Sequence, residues 1–77
     1  MFPFTREGRD EEAWRVLFEG NYTKVYRTAL KILFDRELAE EVTAETFSTA
    51  FSEIKTLKDK SKFSAWICTI AQNTAKN

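Results

Sequence analysis

The chain has 77 residues, with twelve basic and twelve acidic side chains, seven Phe, two Trp, two Tyr, one Cys and no His. Without histidine the commonest general base and metal ligand are missing, and the single Cys68 excludes an internal disulfide or a thiolate metal cluster, in keeping with a reducing cytoplasm. No apolar run approaches the roughly 20 residues of a membrane span, Met1 to Arg6 lacks the basic-then-apolar pattern of a secretory signal, and zero net charge argues against an indiscriminate nucleic-acid binder.

Glycine and proline occur only at Pro3, Gly8 and Gly20, so helices joined by short connections are expected. Residues 1–9 read as a flexible N-terminal arm preceding a single helical domain over 10–77. Asp10 suits a helix cap, with Glu11 and Glu12 favoured by the positive end of the dipole. Ala13, Trp14, Leu17 and Phe18 follow as an apolar stripe. Gly20-Asn21 predicts a break or kink. A second helix is expected from about Tyr22 to Leu33. Its apolar face carries Tyr22, Val25, Tyr26, Ala29, Ile32 and Leu33, and its polar face Lys24, Arg27 and Lys31.

Asp35 is the next cap candidate. The third helix is predicted from about Arg36 to Ile54. Leu38, Ala39, Val42, Phe47, Ala50, Phe51 and Ile54 spread over an arc wide enough to face two neighbours. Lys55 to Lys60 reads as a basic loop. Ser61 is the expected cap of a fourth helix that runs to the end of the chain. Phe63, Trp66, Ile67, Ile70 and Ala71 form its apolar side; Ala65, Thr69, Gln72 and Lys76 form its outer side. The fold class is all-α, a compact bundle of three to four helices.

Charge is segregated along this pattern. From Asp35 to Glu45 five acids stand against one base, a net of −4, and from Lys55 to Lys62 four lysines stand against Asp59, a net of +3. Glu37, Glu41 and Glu45 repeat at the spacing that stacks like charges on one helix face, at a small cost per pair. Such a strip either meets a basic partner or is an ordinary solvated face. It is opposite the apolar arc, so the burial that catalytic carboxylates need is not expected. No catalytic residue, cofactor or metal site is expected, and the chain is not read as an enzyme. The lysines, with Ser61, Ser64 and the free amides at the start of the last helix, either contact phosphates or form a solvated loop. Phe63 and Trp66 have spacing for core packing more than for base stacking.

These residues carry a further pattern. Val25-Tyr-Arg-Thr-Ala-Leu-Lys-Ile-Leu, then Asp35, then Ala39-Glu-Glu-Val-Thr-Ala-Glu-Thr-Phe47, then Phe63-Ser-Ala-Trp-Ile-Cys-Thr-Ile-Ala-Gln-Asn73 resembles region 2 of extracytoplasmic-function (ECF) sigma factors of the sigma-70 family. The resemblance runs from about Glu12 to the C-terminus. It implies a bacterial, cytoplasmic transcription-initiation module. Its third helix would dock on the arginine-rich clamp helices of the largest subunit of core RNA polymerase, through Asp35, Glu37, Glu41, Ala44 and Glu45. It also implies recognition and melting of the promoter −10 element, chiefly through the non-template single strand. Lys58, Lys60, Ser61, Lys62 and Ser64 match the loop for that role, and Thr69, Gln72, Asn73 and Lys76 match the recognition helix.

An anti-sigma factor is an implied partner. A protein-binding adaptor held by such a factor, without DNA recognition of its own, is the alternative. The family's second helical domain, region 4, is not encoded in these 77 residues, so an isolated domain is expected. Five positions depart from the family. Ala44 stands where a Gln is frequent, and Thr69 and Gln72 where arginine is. Phe51 stands where a Trp is frequent. Phe34 replaces the usual glycine before Asp35, so that turn is expected to differ.

Overall fold

A computed structural model describes residues 8–77, with side chains described for Glu12 and from Trp14 onward. Three helices account for almost all of it: α1 over Gly8–Leu33, α2 over Arg36–Glu53 and α3 over Phe63–Lys76. Two short 3₁₀ turns, Ile54–Thr56 and Lys60–Lys62, stand between α2 and α3. Each α-helix packs on the other two. Gly8 and Arg9 belong to α1, so Asp10 lies inside the helix rather than at its cap. The rest of the expected arm, residues 1–7, lies outside the described residues.

The break expected at Gly20-Asn21 is absent. α1 is one rod of 26 residues, about 39 Å at 1.5 Å per residue, which is also the longest dimension of the molecule. Glycine at a helix interior costs about 1 kcal/mol relative to alanine. The apolar stripe outweighs this, because Trp14, Phe18, Val25 and Ala29 keep helical register across Gly20 and bury against α2 and α3. The Asn21 amide adds a hydrogen bond from Nδ2 to the Leu17 carbonyl, at 2.9 Å.

Trp14 holds the three helices together. Its ring meets Phe51 of α2 edge-on at 5.0 Å and Phe63 of α3 edge-on at 5.9 Å, arrangements that add about 0.5–1.5 kcal/mol to area burial. Elsewhere the contacts use alanine: Ala29, Ala39, Ala50 and Ala71 are fully enclosed, which lets the helix axes approach closely.

The buried face of α2 differs from the predicted arc. Leu38 lies outside, 45% exposed, and Val42 is half-buried, while Thr43 and Thr46 are fully enclosed. Thr43 satisfies its hydroxyl by donating to the Ala39 carbonyl at 2.7 Å. The Thr46 hydroxyl has no partner among the described residues.

The turn between α1 and α2 is two residues long. Asp35 caps α2 as expected, its carboxylate accepting from the Leu38 amide at 3.1 Å. Phe34 adopts φ 54°, the left-handed region that glycine favours. The turn therefore uses a left-handed residue despite the absence of glycine, at a cost of about 1–2 kcal/mol for an L side chain.

Candidate functional site

Two surfaces carry the candidate residues. The first is the outer side of α2. Asp35, Glu37, Glu41, Ala44 and Glu45 are all exposed, and so is Glu40. Burying Ala39, Thr43, Phe47 and Ala50 turns the opposite side of the helix, with Glu37, Glu41 and Glu45, toward solvent.

Ala44 has a second environment that the sequence did not reveal. It stands on the wall of an apolar groove of about 570 Å³ between α1 and α2, lined by Trp14, Phe18, Tyr22, Phe47 and Phe51. Phe18 and Phe47 meet at 4.5 Å, and Tyr22 stacks on Phe47 at 6.1 Å. The signal was present as aromatics four apart on each helix. What hid it was the break expected at Gly20, which separated Tyr22 from Trp14 and Phe18.

The second surface is the bend after α2 and the outer side of α3. Lys55, Lys58, Lys60 and Lys62 are exposed. The cap of this bend is Asp59, not Ser61. The Asp59 carboxylate accepts from the Ser61 hydroxyl at 2.6 Å and from the Ser61 amide at 3.0 Å. These two bonds, the hydroxyl first, hold the Asp59 carboxyl below its ordinary proton affinity against slight desolvation. Aspartate wins over serine because a carboxylate accepts twice and more strongly. The same geometry engages the amides that lead into α3. Ser61 N–H is bound to the side chain of Asp59, Lys62 N–H to its carbonyl at 3.0 Å, and Phe63 N–H to the Lys60 carbonyl. The bend offers exposed ammonium groups, and the Lys60 ammonium also donates to the Leu57 carbonyl at 3.3 Å.

Ser64 is half-buried and accepts from the Lys24 ammonium at 2.6 Å. Lys24 is thus a cation of α1 delivered to the start of α3. Its place on a polar face was readable, but its neighbour forty positions away was not. Along α3, Thr69, Gln72, Asn73 and Lys76 are all exposed. The Thr69 hydroxyl donates to the Ala65 carbonyl at 3.1 Å, so its proton is used within the helix while its oxygen still accepts. Phe63 is core, 1% exposed. Trp66 is half-buried against it at 5.7 Å.

Among the described residues no group of three or more His, Cys, Asp or Glu could hold a metal ion, and no helix is long and apolar enough to cross a membrane. The arrangement presents an anionic ridge on one helix, and a cationic bend leading to a polar helix face. A family model, sigma-70 region 2, matches residues 17–77. No curated protein and no solved structure matches the chain.

Proposed function

The chain belongs to the sigma-70 family as a region 2 domain, and from that premise we propose that its two charged surfaces divide the work of promoter recognition. Sigma factors serve transcription initiation, with core RNA polymerase and promoter DNA as partners in general terms. In this proposal Asp35, Glu37, Glu41, Ala44 and Glu45 grip the basic clamp helices of the polymerase. Lys58, Lys60, Ser61, Lys62, Ser64, Thr69, Gln72, Asn73 and Lys76 recognise and melt the −10 element, with Lys24 adding charge beside Ser64. The observation that carries the reading is the segregation itself. The acids and the lysines are exposed on different stretches of one continuous scaffold, so each surface is available without interfering with the other.

The mechanism is single-strand capture. Taking a base out of the stack costs a few kcal/mol. Ammonium groups on the bend neutralise backbone phosphates as the strand separates, and the release of counterions makes that attraction salt-dependent. Gln72 and Asn73 offer paired donors and acceptors to base edges. No covalent step belongs to this domain; it acts by binding in the bacterial cytoplasm, as an ECF-type factor under an anti-sigma partner.

The test is binding of the 77-residue chain to core polymerase and, separately, to labelled −10 DNA. Glu41→Lys with Glu45→Lys is expected to weaken polymerase binding at least tenfold and to leave the helical circular-dichroism signal intact. Undiminished binding would reject the docking role. Single-stranded non-template −10 DNA is expected to bind better than duplex or random single strands. The adaptor reading, a protein-only module, is supported by the internal engagement of the Ser61 and Thr69 hydroxyls. It would be favoured if polymerase binding persists and no DNA binds at low salt.

A further inference from the structure

Phe34 is disfavoured twice by the fold that contains it. Its backbone is left-handed at φ 54°, and its ring is 86% exposed. The backbone serves the turn, its N–H donating to the Leu30 carbonyl at 2.8 Å to end α1, but the exposed ring does not serve the interior. An apolar residue just before an N-cap commonly packs on the fourth helical position as a staple. Here that position is Ala39, which is fully enclosed without Phe34. A large ring kept exposed where glycine would make the same turn at less cost points to a role outside the fold.

The surroundings indicate that role. Leu38, 45% exposed, stands one helical turn from Asp35 and one turn before Glu41. Phe34 and Leu38 therefore form an apolar end to the acidic strip of Asp35, Glu37, Glu41 and Glu45. Apolar groups rimmed by charge are the usual composition of a docking surface, and buried aromatics supply most of its affinity.

We infer that Phe34, assisted by Leu38, is an aromatic anchor that inserts into an apolar recess of a cationic helical surface on the polymerase. Charge complementarity selects the partner, because a ring at the head of a strip of four carboxylates docks together with that strip only against a surface that is basic beside the recess. The inference rests on the docking role proposed above and adds to it an anchor residue. The left-handed turn fixes the main chain from which the ring projects, so the backbone there loses little freedom on binding.

The experiment measures core polymerase binding, melting temperature and sedimentation for the 77-residue chain and three variants: Phe34→Gly, Phe34→Asn and the Glu41→Lys/Glu45→Lys pair. Glycine and asparagine both accept the left-handed backbone, so the fold survives either change. The expected result is a dissociation of stability from binding. Phe34→Gly raises the melting temperature by roughly 4–8 °C as strain is relieved, weakens polymerase binding about tenfold, and leaves −10 DNA binding unchanged. Phe34→Asn weakens polymerase binding to the same degree. If both Phe34 variants bind polymerase as tightly as the parent while the charge reversal abolishes binding, the anchor is wrong and the docking role stands. If the charge reversal also binds undiminished, the docking role itself fails and the anchor with it. A melting temperature that falls in Phe34→Gly would make the ring an internal support and overturn the inference. So would self-association in the parent that Phe34→Gly removes, since the ring would then serve contact between copies.

Discussion

The two connections between helices do the same mechanical task with opposite surface results. Both reverse the chain, and both are capped by an aspartate, Asp35 at 3.1 Å from the Leu38 amide and Asp59 at 3.0 Å from the Ser61 amide. The first is two residues long, holds Phe34 in a left-handed conformation and leads into a ridge of glutamates. The second is longer, is wound into two 3₁₀ turns, binds its own amides and hydroxyls, and exposes lysines. A short turn carries its strain in one residue and displays that residue. A long turn relaxes by internal hydrogen bonding and leaves only flexible ammonium groups outward. The rigid connection suits docking on a shaped protein surface, and the relaxed one suits a charged strand whose conformation varies.

The strongest way to break the contrast is to remove the core on which both surfaces depend. Phe63→Ala deletes a ring 1% exposed and in contact with Trp14 and Trp66, at an expected cost of about 3–5 kcal/mol. A domain of this size holds only about 4–11 kcal/mol in total. Urea unfolding should show a midpoint shifted far down, and polymerase and DNA binding should fall together.

The next effect separates the surfaces. Replacing Lys58, Lys60 and Lys62 together by Gln should leave polymerase binding unchanged. It should lower the slope of log affinity for single-stranded −10 DNA against log salt by about 2, at roughly 0.7 per phosphate contact. Anisotropy titrations at several salt concentrations measure this, and an unchanged slope would remove the bend from the DNA surface.

The caps give the smaller effects. Asp35→Ala should cost about 1 kcal/mol of thermal stability. Asp59→Asn should act mainly through pH. The Asp59 carboxyl holds its proton less tightly in the folded chain than in the unfolded one. Its contribution is therefore fully present above the unfolded titration point and is lost as pH falls through the lower folded one, below about pH 4. Thermal melts from pH 7 to pH 3 should fall less steeply in Asp59→Asn than in the parent.

Much of this was legible in the residues. The Asp35 cap, α2 from Arg36 to its last turn, the exposure of Glu37, Glu41 and Glu45, and the core position of Phe63 follow from capping chemistry and a period of 3.6. Local propensity misled at Gly20, where an unbroken apolar register from Trp14 through Phe18 to Val25 was the better guide. It misled again at Ser61, where the neighbouring carboxylate of Asp59 is the stronger acceptor. Leu38 was placed with the core as part of a wide apolar arc, yet two threonines, Thr43 and Thr46, take the enclosed positions.

The sequence alone determined an all-helical chain, the aspartate that starts α2, and the separation of anionic from cationic stretches. These are properties of a residue and its neighbours within a turn or two. The tertiary structure alone decided that Lys24 reaches Ser64, that Tyr22 and Ala44 share an aromatic groove, and that Phe34 stands clear of every helix. Periodicity fixes where a side chain sits around its own helix axis. It does not fix how that axis is rotated against another, which is set by the interlocking of side-chain ridges and grooves contributed by residues far apart in the chain.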